Sequence, residues 1–237
     1  MTIEELAKTY QPGERAHEVV AKSNTILLVG ISGAGKDTIQ THILKNPEYH
    51  RVVTHTTRAP RYNDGVLEQD GREYHFVSKD EMYELLETKQ MIEINQFGSE
   101  FYGASVEEFE RANQTGKIVV ANIDVNGITA VRGLGGDAVR ALFVLPPSYD
   151  EWMVRLKKRY PDEASFQDVF ATRREIAIAE LELALSVPYY HFIINDELER
   201  AVRVVDEIAH RTDVFYRKDD EARLLARDIL EEIRARR

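Results

Sequence analysis

Four short apolar runs stand out along the chain. Residues 25–29 read Thr-Ile-Leu-Leu-Val, and comparable runs occupy 117–124, 140–145 and 191–194. They are closed by turn formers, among them Gly30, Pro146-Pro147 and Asn195-Asp196. Runs that are apolar throughout, rather than at alternate positions, predict strands buried on both faces. Between them lie helical patterns with marked starts. Ser78 with Glu81, Ser105 with Glu108 and Ser148 with Glu151 have the spacing of a capping box, in which hydroxyl and carboxylate satisfy helix N-terminal amides reciprocally. Buried strands alternating with amphipathic helices predict an α/β fold whose mainly parallel sheet is covered on both faces.

Four stretches depart from that alternation. Residues 1–23 are a polar lead-in broken by Pro12-Gly13, with a short helix predicted over 16–22. Residues 54–105, polar and aromatic around one helix, have the look of an insertion. Residues 157–172 are polar and contain Pro161, which predicts a mobile flap between two helices. Residues 218–237 predict a charged helix with Leu224, Leu225, Ile229, Leu230 and Ile233 along one side. That stripe can dock on its own domain or pair with a second chain, so a monomer and a homodimer both stay open.

Composition narrows the function. With 43% apolar and 30% charged residues the chain can bury a core. A net charge of -10 argues against general nucleic-acid binding, which depends on neutralising phosphates with Lys and Arg. Any phosphate site must therefore concentrate its cations locally. There is no cysteine, which excludes a disulfide framework and thiolate chemistry. Residues 1–24 show no apolar core of a signal peptide, and no run reaches the roughly 20 apolar residues of a membrane span. The expected address is the cytoplasm, away from membranes.

The first buried run leads into Gly30-Ile-Ser32-Gly33-Ala34-Gly35-Lys36-Asp37-Thr38. This fits G-x-x-x-x-G-K between a strand and a helix. The glycines allow a tight turn whose amides face phosphate oxygens, the helix N-terminus adds a favourable dipole, and Lys36 supplies a point charge. The motif expects Ser or Thr after the Lys as a magnesium ligand, and here Asp37 stands there. Either Thr38 takes the role one place later, or Asp37 holds the water shell of the ion. Phosphoryl transfer leaves charge that Mg2+ offsets, so the ion is expected.

Arg58 and Arg61 flank Pro60 and can present two guanidinium forks to one phosphate, with Tyr74 and Tyr102 as hydroxyl donors. Glu93 lies between apolar neighbours and, taken alone, reads as an outward-facing strand residue. A carboxylate can also accept paired N–H donors such as N1–H and N2–H₂ of guanine, which adenine lacks. Arg155 and Arg159 share a helix face at i and i+4, followed by Arg173. His55, beside the Arg loop, is read as a packing or hydrogen-bonding residue.

These segments occur in the order Val53-Thr54-His-Thr-Thr-Arg58-Ala-Pro-Arg61, Glu73-Tyr74-His-Phe, Ile92-Glu93, Phe101-Tyr102-Gly103, Ile123-Asp124-Val-Asn-Gly127, Pro146-Pro147-Ser148 and Asn195-Asp196-Glu-Leu198. In that order they resemble the guanylate kinase family over about 24–210. The resemblance implies a three-layer P-loop NTPase fold with a nucleotide-acceptor insertion over about 54–105 and a mobile lid over about 155–173. The domain would span 24–212, with extensions at 1–23 and 213–237. It implies an ATP- and Mg2+-dependent kinase acting on GMP, and on dGMP as a further acceptor. Gly30, Ser32, Gly33, Ala34, Gly35, Lys36, Asp37, Thr38 and Asn195 would bind ATP. Thr54, Glu93 and Asp124 would read the base, while Arg58, Arg61, Tyr74 and Tyr102 hold the acceptor phosphate. Arg155, Arg159 and Arg173 would close over the phosphates and, with Lys36, stabilise the transferring charge.

Ala104 stands where the family has Ser or Thr, and Asn122 where it has Asp. With Asp37, these departures resemble kinases of sugar phosphates such as ribose 1,5-bisphosphate, which is one alternative. A catalytically silent interaction module of guanylate kinase type is another.

Overall fold

The computed structural model describes residues 1–63, 65–123, 125–211 and 219–236. In chain order, α1 (Ile3–Thr9) and α2 (Glu14–Lys22) precede β1 (Thr25–Val29) and α3 (Lys36–Ile43). Short strands around one helix follow: β2 (Tyr49–Arg51), β3 (His55–Thr56), β4 (Tyr62–Asn63), β5 (Val66–Leu67), β6 (His75–Phe76), α4 (Lys79–Glu87), β7 (Asn95–Phe97) and β8 (Glu100–Gly103). Next come α5 (Val106–Thr115), β9 (Ile118–Asn122), α6 (Val125–Gly135), a 3-10 turn at Gly136–Ala138 and β10 (Val139–Leu145). Then follow α7 (Tyr149–Lys157), α8 (Glu163–Ser186), β11 (Tyr190–Ile194), α9 (Leu198–Ala209) and α10 (Asp219–Ala235).

The largest sheet has the order β11-β10-β1-β9-β2, with β10–β11 and β2–β9 parallel. All four apolar runs of the sequence are strands of this sheet, and β1 is buried at every position. The predicted insertion carries a smaller mixed sheet, β6-β3-β8-β7, and the β4–β5 hairpin.

The chain packs as two compact units. One comprises Met1–Thr25, Glu48–Ala121 and Asn126–Val139; the other comprises Ile26–Pro47, Asn122–Val125 and Arg140–Arg237. In the first, Tyr10, Met82, Leu86, Met91 and Phe101 form a core on which Ile3 and Leu6 pack. The predicted helix over 16–22 is α2. The lead-in also contains α1, which the hydrophobic pattern does not announce. A Thr2–Glu5 capping box starts it, and the Tyr10 hydroxyl after it donates to Met91 O at 2.7 Å.

In the second unit, the backbone leaving β1 runs hard against β10. A Cβ on Gly30, which has φ of 138°, would lie 2.2 Å from Val144 O, so only glycine fits. Helix α9 packs on α3, while α10 packs on α8, β11 and α7. The buried face of α10 is Ala222, Ala226, Ile229, Leu230 and Ile233, and Leu224 is 57% exposed. Its apolar stripe therefore docks on its own unit, with two alanines where the leucine count suggested Leu224. Arg174 caps the end of α10, donating from Nε to Ile233 O (2.8 Å) and from Nη2 to Arg234 O (3.1 Å). Residues 213–218 of the expected C-terminal extension lie outside the described residues.

The break between α7 and α8 is shorter than the predicted flap, because α8 already starts at Glu163. Asp162 caps it, accepting from Ser165 N at 2.8 Å, and Phe166 anchors its first turns in the core. Polarity over 163–172 thus marks the solvated side of a helix. Of the three capping boxes only Ser78–Glu81 is reciprocal. Ser105 and Ser148 accept from the expected amides, but Glu108 and Glu151 turn to other partners. Among the described residues no helix is long and apolar enough to cross a membrane.

Candidate active site

The phosphate-loop residues lie in the second unit, between β1 and α3. Gly35 caps α3 with φ of 97°, and a Cβ there would lie 2.2 Å from Asn195 Nδ2. That amide in turn donates to Ala34 O at 2.7 Å, so Asn195 braces the loop from the end of β11. Lys36 Nζ donates to the carbonyl oxygens of Gly30 and Ile31. Burial lowers the pKa of its amine, opposed by the carboxylates of Glu180 and Asp37.

Helix α7 brings two arginines to this loop. Arg155 is held by Glu151 at 2.8 Å and donates to Asn195 O at 3.0 Å. Arg159 donates to Ser32 Oγ at 2.9 Å and pairs with Asp37 at 3.6 Å. Trp152 lies beneath, its indole N–H on Ser32 O at 2.8 Å. A cavity of about 370 Å³ is lined by Gly33, Gly35, Thr38, Arg155, Lys158, Arg159, Asn195, Asp196 and Leu198. Arg173 is not among them; it is exposed and donates to the Tyr160 hydroxyl at 3.2 Å.

The Asp37 carboxylate also accepts from Asn122 Nδ2 at 2.7 Å. Both residues depart from the family pattern, and they are partners. Asp37 and Thr38 are exposed and carry oxygen donors, which suits a hard cation. No cluster of three or more His, Asp or Glu able to hold a metal occurs among the described residues. Asp37 and Thr38 would therefore offer a magnesium ion few protein oxygens, which suits a cation that keeps several waters.

The predicted acceptor residues lie in the first unit, apart from Asp124, which falls outside the described residues. Arg58 is buried, and its Nη1 and Nη2 donate to Glu68 Oε2 and Oε1 at 2.8 and 3.1 Å. Its guanidinium lies over the Tyr74 ring, 5.2 Å from the centroid. Burial works against its charge, but hydrogen bonds and charge from Glu68, then Tyr102, outweigh it and raise the pKa. Tyr74 and Tyr102 meet edge to face at 6.1 Å, and burial raises the pKa of the Tyr74 phenol. Arg61 is exposed and makes no ion pair among the described residues. Glu93 is 5% exposed, its Oε1 accepting from Ala104 N at 2.9 Å and its Oε2 from Asn95 Nδ2 at 2.7 Å. It is an inward carboxylate, not an outward-facing strand residue. Thr54 is half-buried, its carbonyl accepting from His75 N at 2.9 Å. His55 stacks on His75 with centroids 4.7 Å apart, in keeping with a packing role.

A family model described as guanylate kinase matches residues 22–212. The chain belongs to the guanylate kinase family. It is 35% identical over 181 residues to a guanylate kinase of Neisseria gonorrhoeae, covering 76% of this chain and 83% of the relative. A Schizosaccharomyces pombe guanylate kinase is 31% identical over 193 residues, covering 80% and 92%. The fold is shared with the crystal structure of guanylate kinase from Anaplasma phagocytophilum at a TM-score of 0.59 and 23% identity, over 80% of this chain and 87% of that one. The mainly parallel α/β architecture expected of the guanylate kinase family is therefore present.

Three residues of this guanylate kinase family member, Lys158 and Trp152 in the phosphate-loop cluster and Glu68 in the acceptor cluster, were not singled out in the sequence. Lys158 carries a sequence signal, lying between Arg155 and Arg159 in Arg155-Leu-Lys-Lys-Arg159. Trp152 could have been suspected as the sole tryptophan, four residues after a helix start. Glu68 had no local signal, being ten residues from Arg58 across the β4–β5 hairpin.

Proposed function

We propose that this chain transfers the γ-phosphoryl group of ATP to the phosphate of GMP, giving ADP and GDP. An oxygen of the acceptor phosphate forms the new bond to phosphorus as the bond to the leaving ADP oxygen breaks, so no side chain serves as a covalent nucleophile. The observation that carries the acceptor assignment is the buried, oriented carboxylate of Glu93. A carboxylate held in place by Ala104 N and Asn95 Nδ2 suits the paired donors of guanine. Thr54 would contact the same base, while Arg58, Arg61, Tyr74 and Tyr102 hold the acceptor phosphate.

On the donor side, the backbone of 30–38 and the start of α3 would cradle the ATP phosphates, with Lys36 as a point charge. Arg155 and Arg159 are preorganised by Glu151, Ser32 and Asp37, so they present charge without reorganising during the reaction. Arg173 belongs to the same lid in this reading. Magnesium, when bound, offsets phosphate charge, and Thr38 and Asp37 would hold it directly or through water, with Asn122 orienting Asp37.

A coupled ADP-release assay with ATP, Mg2+ and GMP, dGMP, AMP, UMP or ribose 1,5-bisphosphate tests the reading. Selective turnover of GMP, with dGMP as a second acceptor, is expected, and Lys36→Met abolishes it. Turnover of the sugar bisphosphate with GMP silent would overturn the acceptor assignment.

A further inference from the structure

The geometry points to Glu68 as a positioning residue for the acceptor phosphate, an inference that rests on Arg58 being a ligand of that phosphate. Glu68 takes the end-on fork of the guanidinium, Nη1 with Nη2. The second Nη1 proton goes to Ala59 O at 2.7 Å. That leaves Nε–H and one Nη2–H side by side along the other edge of the plane, the edge left for the hydrogen bond with Tyr102, itself an expected ligand of the same phosphate. Two parallel donors on one edge match two oxygens of a phosphate. Glu68 thus decides which edge of Arg58 is offered.

Glu68 is built into the backbone as well. Its Oε2 also accepts from Arg61 N at 2.8 Å, and its own N–H donates to Arg61 O at 2.9 Å. The loop from 61 to 68 is therefore closed at its base by one residue, which fixes the backbone of the second arginine while the guanidinium of Arg61 stays exposed. The Tyr74 ring covers one face of Arg58. A buried arginine held on one fork and one face loses little further side-chain freedom when it binds an anion.

The same carboxylate read as a competitor makes the opposite prediction. A Glu68 that had to leave before phosphate could bind would weaken the site, and neutralising it would tighten GMP binding. The ties of Glu68 to both strands of its loop argue against such an exit.

The test compares wild type, Glu68→Gln and Glu68→Asp by steady-state kinetics, with calorimetric titration of GMP and guanosine and a thermal melt of each. Glu68→Gln keeps the size of the side chain but turns an amide N–H₂ toward the donors of Arg58. The KM for GMP is expected to rise about tenfold or more, the KM for ATP to stay within about twofold, and Glu68→Asp to recover part of the loss. Affinity for guanosine, which has no phosphate, should be unchanged. A GMP KM that stays the same or falls overturns the inference, as does an equal loss of GMP and guanosine affinity. Failure of both variants to fold would show a structural role instead and overturn it too. If wild type itself is silent with GMP, the acceptor reading falls and this inference with it.

Discussion

The Glu93 carboxylate accepts a hydrogen bond from the backbone N–H of Ala104 at 2.9 Å. The residue whose hydroxyl is missing relative to the family thus still supports, through its backbone, the carboxylate proposed to read the base. Glu93→Gln keeps the shape but places an amide where guanine or the Ala104 N–H needs an acceptor. We expect kcat/KM for GMP to fall about 100-fold, with the KM for ATP unchanged, because a site left with mismatched polar groups discriminates strongly. Steady-state assays on the two substrates check this.

Gly35 sits where its missing Cβ makes room for the Asn195 amide. Gly35→Ala must displace that amide and hold a left-handed conformation that costs alanine about 1–2 kcal/mol. The variant should melt a few degrees lower and bind a non-hydrolysable ATP analogue at least about tenfold more weakly. Thermal melting and calorimetric titration separate the two effects.

His55 titrates at about 4 in the folded chain instead of 6.5, first because of burial and then because of His75. As pH falls, the unfolded chain takes up the proton before the folded one. Stability is therefore full above about 6.5 and is lost progressively toward pH 4, by on the order of 3 kcal/mol. His50, also lowered by burial, acts in the same direction. The urea midpoint should drop between pH 7 and pH 5, and His55→Asn should flatten that dependence.

Ile233 is fully buried on the docked face of α10, whereas Leu224 is mostly exposed. Ile233→Ala should cost about 2–4 kcal/mol, and Leu224→Ala should leave the melting temperature within error. Equal effects would contradict the orientation of the helix.

The strands and the phosphate loop were legible because their signals are contiguous. A fully apolar run followed by closely spaced glycines and a lysine has few other readings. Residues of the acceptor cluster were legible by type, since Arg58, Arg61 and Tyr74 fall within one segment, but their contacts were not. Arg58 spends one fork on Glu68, a pairing set by the β4–β5 hairpin and invisible in residue spacing. Helix α1 escaped notice because it is only seven residues long and none of them is fully buried. The face of α10 was misjudged at Leu224 because alanines, which carry little hydrophobic signal, occupy two of its inward positions.

Trp152 is the only tryptophan of the chain, and its indole is hydrogen-bonded to the carbonyl of Ser32, whose hydroxyl receives Arg159. All intrinsic tryptophan fluorescence therefore originates directly beneath the phosphate loop. A change in its emission on mixing with ATP would follow the engagement of loop and arginine in real time, with no dye attached.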